Sequence, residues 1–201
     1  MMKIAVFASG SGSNFSAMMG AIRADHLPGV EVAMLVCDRP GALVESRAEQ
    51  ESIPVFSFQP KEYADKLAYE QVILEELKKK QVEWIILAGY MRLIGDTLLE
   101  AYQGRIINLH PSLLPAFTGK DAIGQALEYG VKVTGVTVHF VDAGMDTGPI
   151  IAQRVVPILE GDTRESLTKR IQEQEHQLLP EVVRMVQEGR VKLQGRKVGV
   201  Q

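Results

Sequence analysis

The stretch Lys3-Ile4-Ala5-Val6-Phe7-Ala8-Ser9-Gly10-Ser11-Gly12-Ser13-Asn14 decides the fold. Ile4 to Ala8 is apolar without alternation, the pattern of a strand buried on both faces. Gly10 and Gly12 then mark a tight turn among hydroxyls, and helical spacing runs from Asn14 to Asp25. A buried strand, a glycine turn and a helix open a parallel α/β unit. Glycines let the backbone approach an anion, and the unpaired N–H groups of a helix start favour negative charge. The loop therefore suits a phosphate, although it also reads as an ordinary tight turn with Ser13 or Asn14 as the helix cap.

Outward from this stretch the same grammar repeats. Val30 to Val36, Pro54 to Phe58, Trp84 to Ala88 and Ile106 to Leu109 read as short buried strands. Helical patterns lie between them, near Gly41 to Ser52, Tyr63 to Lys80 and Asp96 to Tyr102. After His110 the pattern changes. A short helix near Lys120 to Tyr129 precedes two longer strands, Val133 to Val141 and Ile150 to Ile158, joined by the turn-rich stretch Asp142 to Pro149. That connection predicts an antiparallel pair. A final helix spans about Thr163 to Glu188, with Asp162 as its expected N-cap, Glu165 three residues on, and a kink expected at Pro180. The expected class is α/β: a Rossmann-like, mostly parallel sheet with helices on both faces, extended by antiparallel strands in the C-terminal half.

Composition agrees with a packed core. The 201 residues are 46% hydrophobic and 23% charged, enough to bury roughly 70% of the unfolded surface. Twenty-two basic against 25 acidic residues leave a net charge of −3, which implies no broad cationic face for nucleic acid or lipid. No apolar run approaches the ~18 residues of a membrane span, and the N-terminal run is too short for a signal peptide. The lone cysteine, Cys37, follows an apolar run and reads as a small core residue in a reducing compartment. A cytoplasmic protein acting on small molecules, as monomer or homodimer, is the expectation.

Two nucleotide chemistries can be tested on the first loop. A dinucleotide fingerprint needs a third glycine where Phe15 stands, although Asp38 occupies the place of a ribose-binding acid. A phosphate-binding G-x-x-x-x-G-K-[ST] loop for ATP is absent from the sequence. No two histidines have the close helical spacing of a zinc site, so no metal is assigned.

The block Asn108-Leu109-His110-Pro111-Ser112-Leu113-Leu114-Pro115 closes the fifth strand. Alternation puts Asn108 and His110 on one face, at the strand end where open α/β sheets bind ligands. An amide donor beside an imidazole suits an oxyanion forming as a carbonyl turns tetrahedral. Taken alone such a pair is usually structural, but Asp142 and Asp146 in the later glycine-rich loop supply a carboxylate that could fold against His110. Of the other histidines, His26 reads as exposed, His139 as a support behind the site or a satisfied core residue, and His176 as surface.

At these residues the chain resembles the 10-formyltetrahydrofolate-dependent formyltransferase family. The resemblance rests on Gly12-Ser13-Asn14, Gly89-Tyr90-Met91-Arg92-Leu93-Ile94, Asn108 to Pro115 and Asp142 to Pro149, in order along nearly the whole chain. The Gly-Ser-Asn loop and Gln174-Glu175-His176 resemble the glycinamide ribonucleotide branch. The resemblance implies a formyltransferase fold forming one domain over 1–201, with a phosphate-binding lobe over about 1–108 and a folate and catalytic lobe over about 109–201. It implies formyl transfer to the ribonucleotide's amine without metal or ATP. Asn108, His110 and Asp146 would be catalytic. Gly12, Ser13 and Asn14 would hold the phosphate, and Gln172, Glu173, Gln174 and Glu175 the ribose and glycinamide. Folate would meet Met91, Arg92, Leu93, Ile94, Asn108, Asp142, Ala143, Gly144, Met145 and Asp146, with Lys66 and Arg92 near its anionic tail. Leu114–Pro115 would be cis, and Thr118 stands where many relatives carry proline, which would loosen the loop. A sister formyltransferase, a formyltetrahydrofolate hydrolase and a dinucleotide-binding module are the alternatives.

Overall fold

The computed structural model describes residues 1–201. Along the chain run β1 (Met2–Ala8), α1 (Ser13–Arg23), β2 (Val30–Cys37), α2 (Leu43–Gln50), β3 (Val55–Ser57), α3 (Lys66–Lys79), β4 (Trp84–Leu87), α4 (Asp96–Ala101) and β5 (Ile106–His110). There follow α5 (Ala122–Tyr129), β6 (Val133–Phe140), β7 (Ile150–Pro157), α6 (Arg164–Gln187), β8 (Val191–Gln194) and β9 (Lys197–Val200). One seven-stranded sheet has the order β3-β2-β1-β4-β5-β6-β7. The first five strands are parallel, while β6 and β7 are antiparallel to their neighbours. The expected α/β class and its antiparallel extension are both present.

Two apolar layers sandwich the sheet because its strands alternate between them. Ile4, Val6 and Ala8 of β1 join Phe15, Met18, Val44, Leu167, Ile171 and Leu178 from α1, α2 and α6. Ala5 and Phe7 point the other way, to Tyr69, Ile73, Leu77 and Leu98 from α3 and α4. A register shift between Ile4 and Ala5 leaves Ala33 of β2 as an extra residue. The bulge changes the phase of β2: Val30 and Val32 face the first layer before it, Leu35 and Cys37 after it. Asp38, one residue beyond, is thereby directed to the α3–α4 side.

Several local expectations are corrected. The cap of α6 is Thr163, whose side chain accepts from Ser166 N–H in a capping box; Asp162 instead pairs with Arg170, and Glu165 takes no part in the box. The cap of α1 is Gly12, with no side-chain cap bond, rather than Ser13 or Asn14. Helix α6 is one continuous element through Pro180. No element is assigned from the sequence after the final helix, but β8 and β9 form a short, mostly exposed hairpin in which only Val191 and Val198 pack against the core. No helix is long and apolar enough to cross a membrane.

Candidate active site

The chain order reverses between β1 and β4, and the crevice beyond their carboxyl ends is the place for a ligand in an open α/β sheet. Ser9 N–H donates to the Gly89 carbonyl at 3.0 Å, tying the two loops at this point. On the β1 side Gly12 has φ 73°, and a Cβ there would collide with Val44 of α2. Only glycine fits this turn. Because no side chain caps α1, its first-turn N–H groups at Ser13 and Asn14 are unclaimed by the protein.

Asn14 is buried and turned toward α6, where its Nδ2 donates to Glu175 Oε2 at 3.0 Å. Its Oδ1 is buried without a partner. Glu175 interrupts the apolar stripe of Ile171 and Leu178, and burial pushes its carboxyl above the usual range, opposed by the Asn14 bond. Gln172 and Gln174 are half-buried, whereas Glu173 is exposed; two residues along a helix turn the side chain about 200° away from Glu175. His176, expected at the surface, is half-buried with Nε2 unpartnered, and its pKa is lowered by burial first and by Arg47 second.

The second half of the site is built by sheet register. In the antiparallel β5–β6 pair Asn108 lies opposite His139 and His110 opposite Thr137, so four polar side chains share one face. Burial pushes His139 below its ordinary pKa. Its Nδ1–H donates to the Phe140 carbonyl at 2.8 Å, leaving Nε2 to accept from Asn108 Nδ2 at 3.2 Å. The amide of Asn108 is thus oriented, with Nδ2 also facing Asp146 Oδ1 at 3.5 Å. His110 Nε2 donates to the Phe117 carbonyl at 2.8 Å, and Nδ1 faces Asp146 Oδ2 at 3.4 Å. A ring protonated on both nitrogens satisfies both acceptors.

Asp146 reaches this face by an indirect route. Strand β6 ends with Phe140 opposite Ile107, near the start of β5, so the loop 141–149 doubles back to bring Asp146 to His110. Asp146 adopts φ 56°, and its Oδ2 accepts Gly119 N–H at 2.7 Å. Asp142 steadies the turn by accepting from Gly144 N–H at 3.1 Å and Thr147 Oγ1 at 2.6 Å. Thr137 Oγ1 donates to the Ser112 carbonyl and accepts from Leu114 N–H and Gln153 Nε2, fixing the segment after His110, in which Leu114–Pro115 is cis. Neither Thr137 nor Gln153 stood out in the sequence as part of the site; the pairing of β5 with β6 is what brings Thr137 there.

On the β4 side Ile94 is buried, while Met91 and Leu93 are about half exposed, as is Met145 in the Asp146 loop. Exposed apolar side chains on two neighbouring loops suit a flat, partly apolar ligand. Ala143 and Gly144 are exposed beside Met145. Lys66 is half-buried next to Glu70 and Gly95. Arg92 is 39% exposed, and its Nε donates to Asp38 Oδ2 at 2.7 Å while its two Nη groups carry no partner. That pairing occupies the carboxylate which the dinucleotide alternative required for a ribose.

Comparison with known proteins agrees with this architecture. The chain is 56% identical over 186 residues to the phosphoribosylglycinamide formyltransferase of Bacillus subtilis, covering 92% of this chain and 95% of that one. The glycinamide ribonucleotide transformylase 1 structure from Symbiobacterium toebii superposes with a TM-score of 0.97 at 45% identity, covering 100% of this chain and 94% of the other. That from Geobacillus kaustophilus gives 0.90 at 62% identity, covering 92% and 98%. The formyl transferase family model matches residues 2–183, and the chain belongs to the formyl transferase family.

Proposed function

We propose that the chain transfers the formyl group of 10-formyltetrahydrofolate to the amine of glycinamide ribonucleotide, a step of purine synthesis, as a phosphoribosylglycinamide formyltransferase. The observation that carries the reading is the meeting of Asn108, His110 and Asp146 within 3.5 Å on one sheet face, beside the β1–β4 crevice. The N–H groups of Gly12, Ser13 and Asn14 receive the phosphate, and Glu175 with Gln172 and Gln174 meets the glycinamide ribose. Met91 to Ile94 and Asp142 to Asp146 hold the folate, with Lys66 and Arg92 toward its anionic tail. Residues 1–201 act as one domain in the cytoplasm, with the phosphate lobe and the folate lobe joined by the continuous sheet.

The amine lone pair attacks the formyl carbon while the carbonyl π electrons move to oxygen. Asn108 Nδ2 and the His110 imidazolium stabilise that oxyanion. Asp146 holds His110 and, through water, takes the proton that the amine releases. Collapse breaks the bond from carbon to N10, which receives a proton. The donor is already activated, so neither ATP nor metal enters the scheme. The test compares glycinamide ribonucleotide with its dephosphorylated riboside in EDTA and without ATP, following product by mass. Formylated ribonucleotide and a far slower riboside are expected; equal rates would remove the phosphate assignment, and formate release without amide would favour a hydrolase.

A further inference from the structure

Three side chains form one row across the sheet beside the site. His110 of β5 lies opposite Thr137 of β6, and Thr137 lies opposite Gln153 of β7. Gln153 is exposed as a residue, yet both hydrogens of its Nε2 are used. One bonds to the Leu114 carbonyl at 3.0 Å and the other to Thr137 Oγ1 at 2.9 Å. Thr137 is fully buried and its hydroxyl is saturated. Its single hydrogen goes to the Ser112 carbonyl at 2.7 Å, and its lone pairs accept from Leu114 N–H at 3.1 Å and from Gln153. Leu113, between the two bonded residues, seats over Gly135, where a Cβ would come to 2.6 Å from Leu113 Cδ2. Residues 112–114 are thereby stapled to β6 and β7.

The backbone just beyond the staple holds the reacting groups. Ser112 Oγ donates to the Ala116 carbonyl at 2.6 Å, and Ala116 N–H to the Leu113 carbonyl at 3.0 Å, which closes a tight turn. Phe117 follows with φ 53°, a left-handed conformation unfavourable for a residue with a side chain. That conformation aims the Phe117 carbonyl at His110, whose Nε2–H it accepts at 2.8 Å. Two residues on, Gly119 N–H reaches Asp146 Oδ2 at 2.7 Å. A strained carbonyl keeps its aim only while the surrounding structure overdetermines it. We propose that Gln153 is a positioning residue for formyl transfer: by fastening Leu114 and Thr137 it holds the turn 112–117, and through the Phe117 carbonyl it fixes the ring of His110. Both groups that Gln153 Nε2 meets act as acceptors, so the position calls for an amide donor, and a carboxylate of the same shape does not serve. This inference rests on reading His110 as the group that stabilises the oxyanion.

Gln153→Glu and Gln153→Met keep the length of the side chain and remove the donor. Each lowers kcat about tenfold and leaves the KM for the ribonucleotide unchanged. In the His110→Ala background the same substitutions cost little further, because Gln153 acts through that ring. Thr137→Ser, which keeps the hydroxyl, stays near wild type, whereas Thr137→Val loses at least as much as Gln153→Met. A readout independent of turnover is the imidazole N–H signal of His110 in the full chain labelled with ¹⁵N-histidine. In Gln153→Met the Nε2–H held by the Phe117 carbonyl exchanges with water about tenfold faster than in wild type. The Nδ1–H of His139, bonded to the Phe140 carbonyl, is unchanged and serves as the internal reference. A wild-type kcat in both Gln153 variants, or the same factor lost with and without His110, would overturn the proposal. So would a lowered Tm with rate and His110 signal unchanged, because Gln153 would then only stabilise the fold. A wild-type chain that forms no formylated ribonucleotide would fail the functional reading, and exchange at His110 Nε2–H would still decide whether Gln153 positions that ring.

Discussion

Replacing Asp146 with asparagine keeps the shape of the site and removes one charge. The carboxylate, 12% exposed, stands 3.4 Å from His110 Nδ1, whose side chain is 6% exposed. At an effective dielectric constant of about 20 such a charge pair is worth about 5 kcal/mol. Asparagine retains an oxygen for Gly119 N–H, so the loop stays anchored, and the lost attraction is partly replaced by a neutral hydrogen bond. A net loss of roughly 3–4 kcal/mol in the transition state corresponds to a kcat lowered by about 10²–10³-fold. Binding of both substrates should change far less, because the oxyanion exists only after attack. The assay is steady-state formylation by mass for wild type, Asp146→Asn, His110→Ala and the double variant. If the pair acts as a unit, the double variant is little slower than His110→Ala alone. Fully additive losses, or an Asp146→Asn enzyme with wild-type kcat, would refute the pairing.

Glu175→Gln keeps an acceptor for Asn14 and removes a charge that burial disfavours. The folded-state pKa of Glu175 is raised, so wild type loses stability as pH climbs through it; the variant should melt higher than wild type at about pH 8 and equally near pH 4, with a raised KM for the ribonucleotide. A gap in Tm of the same size at both pH values would show that charge is not the cause. Gly12→Ala should cost about 1–3 kcal/mol in chemical denaturation, from collision with Val44 and the positive φ. Combined with Val44→Gly it should cost less than the sum of the two, and strict additivity would remove the steric explanation. Burial pushes the Cys37 thiol up to about 11, so thiol reagents at about pH 8 should leave the native protein untouched and label it in denaturant.

The parallel half was legible because its strands are buried on both faces, which writes continuous apolar runs such as Ile4 to Ala8 and Trp84 to Ala88 into the chain. Asn108 and His110 were legible as a pair because alternation is local. What joined them was not: His139 and Thr137 enter through cross-strand register, and Asp146 through a loop that doubles back. The Asp38–Arg92 pairing depends on the one-residue bulge at Ala33, which leaves no mark in an apolar run. His176 read as surface because it follows Glu175 on the final helix, whereas it is half-buried on α6, the helix against which α1 packs.

Direct transfer of one formyl group is the claim on which the rest depends. Donor carrying a ¹³C-labelled formyl group, mixed with glycinamide ribonucleotide and the chain, should deliver the label to the ribonucleotide amide with one equivalent of tetrahydrofolate formed per product. His110→Ala should abolish nearly all of that transfer. Label recovered as free formate, or amide formed at an equal rate by His110→Ala, would contradict the account.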